Sequence, residues 1–260
     1  MEEMQNQEDP KMSSVDNDQE EFELSHTDKL VGVFSEPTDT FEKIAKFPTK
    51  ATDWLIPFLI FIVVTVVAGF VMMGKPTIKL DYLSKNLPRT EQEIQKQIDS
   101  GAIKEEDREK AMDMATYMLV LTPKIFKPLG TAVFFFILSG IFLLLVKYGM
   151  KGIGGYSTSL VSYGLPYYIV ILEVIVTLLF ALFADRFVTS FNLGEILNHD
   201  ITIWPSSLLA LINPFQIWFL VVVSVAYSKM FKSSSVVKYI YWIFGLFYGI
   251  SIILLFFATR

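Results

Sequence analysis

Apolar and polar positions in this 260-residue chain are segregated into blocks and do not interleave. Five apolar blocks stand out: Trp54–Met73, Leu129–Val146, Leu165–Ala184, Leu208–Tyr227 and Tyr239–Ala258. A run such as FLIFIVVTVVAGFVMM lacks the period of two that the strands of a membrane barrel carry. A hydrocarbon core about 30 Å thick needs about 20 apolar residues per helical span. Backbone polar groups in lipid must also be satisfied within their own segment. The pattern therefore predicts an all-α fold, a polytopic membrane bundle of five transmembrane helices. Pro57 falls in the opening turn of the first span, where a missing N–H costs little, and Pro128 and Pro166 mark the starts of the second and third.

The segments between the blocks carry their own periodicity. Residues 75–123 form the only sizeable insertion, and they predict a helical hairpin over the mouth of the bundle. Thr90-Glu91-Gln92-Glu93 fits a capping box, and Ile94 and Ile98 follow at helical spacing until Ser100-Gly101 breaks the run. A second helix reads from Lys104 to about Leu121, supported by the Glu106–Lys110 pair. Its stripe of Met112, Ala115, Met118 and Leu119 reads as packing, and Pro123 is expected to end it. Ahead of the first span, residues 29–53 place Phe34, Phe41, Ile44 and Phe47 on one face. That spacing predicts an amphipathic helix on the cytoplasmic leaflet, capped by Ser35 or Thr38 and bracketed by Pro37 and Pro48.

Composition agrees with the pattern: 52% of the residues are apolar and 19% charged, against about 25% charged in soluble domains. There is no cysteine, which removes disulfides, thiol nucleophiles and cysteine-type zinc sites. The net charge of −5 conceals two opposite parts, with residues 1–28 at −9 and the remainder at +4. So acidic a leader lacks the apolar residues needed to bury a core, and it is read as a disordered cytoplasmic tail, either a solubilising leader or a dock for a basic partner. It does not read as a signal peptide, having neither a basic start nor an apolar stretch after it. Basic residues lie ahead of the first span (Lys29, Lys43, Lys46, Lys50), after the second (Lys147, Lys151) and after the fourth (Lys229, Lys232, Lys238). The positive-inside rule then puts the N-terminus in the cytoplasm and Arg260 outside it, against Lys75, Lys79, Lys124 and Lys127 in the first loop.

Glu173 is the most informative single residue, since it sits near the centre of the third span. An acid at the midplane costs a few kcal/mol to insert. It reads either as a proton or cation site or as a protonated side chain hydrogen-bonded to a neighbouring tyrosine or asparagine. Asn213-Pro214 is expected to interrupt the fourth span, since proline removes an intrahelical bond and the amide can bond across helices. Gly245 and Gly249 form a small-xxx-small pair in the fifth span, suited to an internal contact or to a homo-oligomer face. Trp54, Trp204, Trp218 and Trp242, with Tyr156, Tyr167 and Tyr168, read as interfacial anchors. There is no HExxH, GxSxG or P-loop motif, and neither His26 nor His199 lies in a span. No catalytic residue, metal site, cofactor or nucleic-acid surface is expected.

Three stretches together resemble the Yip1 family of five-span membrane proteins, in particular its prokaryotic branch. The first is Val33-Phe34-Ser35-Glu36-Pro37-Thr38-Asp39-Thr40-Phe41-Glu42-Lys43-Ile44 with Phe47-Pro48 and Trp54-x-x-Pro57. The second is Gly155-Tyr156-Ser157 with Ser162-Tyr163-Gly164-Leu165-Pro166, and the third is Asn213-Pro214-Phe215-Gln216-Ile217-Trp218. Tyr163, Gly164 and Pro166 are read as a tight lead-in to the third span. The resemblance covers about residues 30–258. Eukaryotic members act in vesicle traffic and bind small GTPases through their cytoplasmic N-terminal region. The long charged first loop departs from them and favours a bacterial cytoplasmic-membrane protein. The expectation is a non-catalytic membrane scaffold that engages partners through the acidic tail or the 75–123 hairpin. The alternative is a small transporter or channel using Glu173 and the Asn213-Pro214 break.

Overall fold

A computed structural model describes residues 23–199, 203–233 and 235–258, and among them every regular element is helical. The acidic segment 1–22 lies outside the described residues. Residues 23–28, assigned above to the tail, belong to the fold. Ser25 begins helix α1 (His26–Ser35) with a capping box, accepting a bond from the Asp28 amide at 3.2 Å while Asp28 accepts one from the Ser25 amide at 3.2 Å. Helix α2 (Pro37–Ile44) opens on Pro37 with no side-chain cap, so neither Ser35 nor Thr38 does the capping expected of it. The apolar face of this pair meets protein and not a leaflet: Val33 and Phe41 are fully buried and Phe34 packs edge-on against Trp218.

One buried ion pair fixes this amphipathic cap to the bundle. Lys29 Nζ donates to both carboxylate oxygens of Asp53, each at 2.9 Å, and the two residues are 3% and 2% exposed. Asp53 belongs to the first turn of α3 (Thr52–Gly74), the first apolar span. Glu23 lies between Lys29 and Lys50, with its shorter contact, 2.7 Å, to Lys50. The Lys50 hydrogen bond holds the Glu23 carboxyl below the usual glutamate range. His26 Nε2 and the Tyr168 hydroxyl lie 2.6 Å apart, tying α1 to the third span as well.

The hairpin region departs from expectation in both arms. Helix α4 (Pro76–Asp99) runs unbroken through Thr90, whose hydroxyl donates to the Asn86 carbonyl instead of capping a new helix. After Gly101, at φ +75°, a 3-10 turn leads into α5 (Arg108–Leu121), which packs back on α4. Pro123 does not end that arm. A π turn over Thr122–Phe126 absorbs the missing amide and passes directly into α6 (Lys127–Leu144), giving one continuous helical run from Glu105 to Gly149. The Met112 stripe is half-buried at Met112, Ala115 and Leu119, while Met118 is exposed.

Four helical runs are long and apolar enough to cross a membrane: α3, the Glu105–Gly149 run, Tyr156–Ala184 and Val236–Phe257. The third comprises α7 (Tyr156–Gly164) and α8 (Tyr167–Ala184), joined by the turn at Leu165-Pro166. After a short α9 (Leu193–Ile196) comes a shorter apolar helix, α10 (Pro214–Met230), fourth in chain order and ahead of α11 (Val236–Ala258). The α10 helix has only 17 residues, about 25 Å at 1.5 Å per residue. It starts six residues later than the apolar block does, because residues 206–211 form a 3-10 turn and Asn213 caps the helix. A short helix is tolerated because α10 is central, packed on α2, α7, α8 and α11. Irregular backbone at membrane depth is permitted where protein surrounds it.

Close packing, and not exclusion of water, must hold such helices together in lipid. Aromatic rings provide it: Phe135 meets Phe58 at 4.7 Å, Tyr167 at 5.0 Å and Tyr163 at 5.5 Å, and both tyrosines reach Phe219. Tyr167 is therefore a core residue, not an interfacial anchor, and Trp54 stacks on Phe135. Gly164 admits Trp54 beside it, since a Cβ there would lie 2.6 Å from that of Trp54.

Removing one member of a buried ion pair strands the other, at a cost of about 3–5 kcal/mol. Lys29→Met is expected to destabilise the detergent-solubilised protein on that scale, read by thermal unfolding. Lys29→Met combined with Asp53→Leu should recover most of the loss; equal loss in single and double variants would refute the role of the pair.

Candidate functional site

The end of the bundle where α3 stops and α6 and α10 begin encloses a cavity of about 310 Å³. Its walls mix apolar side chains such as Phe61, Met72 and Phe247 with the polar groups of Lys127, Glu173, Thr177, Asn213 and Gln216. Glu173 projects from the middle of α8 and is 8% exposed. Asn213 Nδ2 donates to its Oε1 at 2.6 Å, and the Phe191 amide donates to the same oxygen at 3.4 Å. Of the two partner types the residue pattern allowed, tyrosine or asparagine, the geometry supplies asparagine.

Asn213 has two tasks at once. Its Oδ1 accepts from the amides of Phe215 and Gln216 at 3.0 and 3.2 Å, which caps α10, while its Nδ2 holds Glu173. Pro214 is the first residue of that helix, where proline is tolerated. Asn213-Pro214 therefore starts the fourth apolar helix and does not interrupt one, as the residue pattern alone suggested.

Lys127 supplies a cation the sequence reading assigned to the first loop. It opens α6, lines the cavity, and donates to the Thr189 carbonyl at 2.9 Å. It and Glu173 line the same cavity, and no ion-pair contact joins them among the described residues. Thr177 lies one turn beyond Glu173 on the same face, 5% exposed, its hydroxyl without a hydrogen-bond partner among the described residues. The i,i+4 spacing of Glu173 and Thr177 was a usable signal. The position of Lys127 was not, because the π turn that places it at the cavity wall has no sequence signature beyond Pro123.

The loop that closes this end is internally braced. Arg186 donates to the carbonyls of Glu195 and Ile196 at 2.6 and 3.0 Å and to Asn198 at 3.0 Å. Lys75 and Thr77 bind Asp185 at 2.6 and 2.7 Å, and their hydrogen bonds hold its carboxyl below the usual range. Of the other residues singled out, Tyr163, Gly164 and Pro166 belong to the ring-packed core and its turn, away from the cavity. Nothing lies within 4 Å of a Cβ built on Gly245 or Gly249, so this pair makes no close contact among the described residues.

Asn213→Ala removes a helix cap and the partner of a buried acid together. It should cost more than the roughly 1 kcal/mol of a cap alone. Glu173→Gln keeps an oxygen that can accept from Asn213 and should cost less. Thermal unfolding of the two variants in the same detergent checks the order, and the reverse order would count against this pairing.

Comparison with curated proteins and with solved structures returned no match. The Yip1 domain, in contrast, matches residues 31–258, from within α1 to the end of α11. That span covers most of the cap, every apolar helix and the cavity between them, and the chain belongs to the Yip1 family of integral membrane proteins.

Proposed function

We propose that this protein is a non-catalytic membrane scaffold that recruits a basic partner through its N-terminal acidic segment, with that terminus in the cytoplasm. One observation carries the reading. Residues 1–22 hold eight acids against a single lysine, and they precede by three residues α1, which is locked to the bundle by the buried Lys29–Asp53 pair. A charged segment on a rigid mount suits capture better than catalysis, for which no nucleophile–base pair was found in the sequence. The distribution of short-loop lysines supports the orientation.

A second reading has its own observation in the cavity: a small transporter or channel whose solute meets Glu173. It calls for pH-dependent flux in proteoliposomes that Glu173→Gln abolishes.

The scaffold reading is tested by quantitative co-purification from native membranes, comparing the full chain with one lacking residues 1–22. Truncation there spares Glu23, Ser25 and the ion pair, so the bundle is expected to stay folded. The expected result is a stoichiometric partner that is lost on truncation and released by raised salt. A partner-free protein in both samples would overturn it.

A further inference from the structure

The cavity contains an unfinished set of polar groups. Glu173 approaches it from α8, Lys127 from the start of α6 and Thr177 from one turn beyond Glu173. The two opposite charges share one cavity without touching, and the Thr177 hydroxyl is buried with no partner among the described residues. Lys127 spends one hydrogen bond on the Thr189 carbonyl, out of the three that an ammonium can donate. Both bonds described for Glu173 fall on Oε1. Glu173 is withdrawn from water, at 8% exposed, and a charge so placed is costly until something pairs it; Lys127, exposed at the start of α6, has donors to spare.

The space between them is adequate and selective. About 310 Å³ is near the lower end for small-molecule sites and corresponds to about ten waters at liquid density. The Gly69 backbone forms part of the wall, against the Pro123 carbonyl, where a Cβ would lie 2.2 Å from that oxygen. Apolar side chains from Phe61, Val170, Val174 and Phe247 complete the lining. Such walls reward a compact ligand whose polarity is confined to two ends.

We propose that this cavity is a binding site for a small zwitterion bearing a primary ammonium and an anionic oxygen group, the ammonium on Glu173 and the anion on Lys127 and Thr177. Free amino acids and the headgroups of aminophospholipids share this chemistry. The assignment is independent of the scaffold reading, which concerns residues 1–22, and requires no transport.

The test uses the full chain in nanodiscs of phosphatidylcholine, whose quaternary ammonium has no N–H to donate. Phosphatidylethanolamine is added to the bilayer in one arm, and free glycine or serine to the buffer in the other. Thermal unfolding and native mass spectrometry are the readouts. A saturable rise in unfolding midpoint with retained ligand is expected in one arm, and the arm that gives it identifies lipid or solute as the source. Glu173→Gln and Lys127→Met should each weaken binding by about tenfold or more, since each removes a charge-assisted bond. Thr177→Val, a conservative change that spares both charges, should weaken it by a smaller factor and guards against misfolding of the charge variants. No saturable shift in either arm, or undiminished binding in Glu173→Gln and Lys127→Met, would overturn the proposal.

Discussion

A helix start leaves amides that the helix itself cannot satisfy, and the architecture around Asn213 follows from meeting that demand. By accepting from two amides of α10 with one end of its side chain, Asn213 allows the helix to start late. By donating to Glu173 with the other end, it gives a buried acid a partner from a different helix. The late start leaves room for the irregular residues 206–211, part of which line the cavity. Helix length, acid placement and cavity thus have a common origin in one amide side chain.

The N-terminal cap obeys the same economy of buried polar groups. Lys29 and Asp53 are each tolerable only because of the other, and together they specify where α1 sits on α3. Apolar contacts of Val33, Phe41 and Ile44 are non-directional, whereas the ion pair has a defined geometry. A paired charge has one register.

Much of this was legible from the residue pattern. The apolar blocks announced helices because lipid leaves few other solutions, and the Yip1-like stretches were identified in order. Glu173 drew attention through its position alone, with tyrosine and asparagine both open as partners. What the sequence withheld were the junctions. Thr90-Glu91-Gln92-Glu93 has the composition of a helix start, yet the preceding helix continues through it because Pro76 had already opened a helix that nothing breaks. Pro123 has the composition of a stop, yet a π turn carries the chain past it. Phe34 and Phe41 pointed to an apolar face, expected on the leaflet, and it is protein that covers it. Local chemistry gives the options at each junction, and tertiary packing selects among them.

The unbroken run from Glu105 to Gly149 spans 45 residues, close to 70 Å of rod at helical rise. One end carries α5 and its contacts with α4, and its middle supplies Pro123, Lys127 and Thr131 to the cavity wall. The π turn between the two stretches, over Thr122–Phe126, lies against Gly69, so the hairpin arm and the cavity wall are consecutive parts of one helical run and cannot be placed independently.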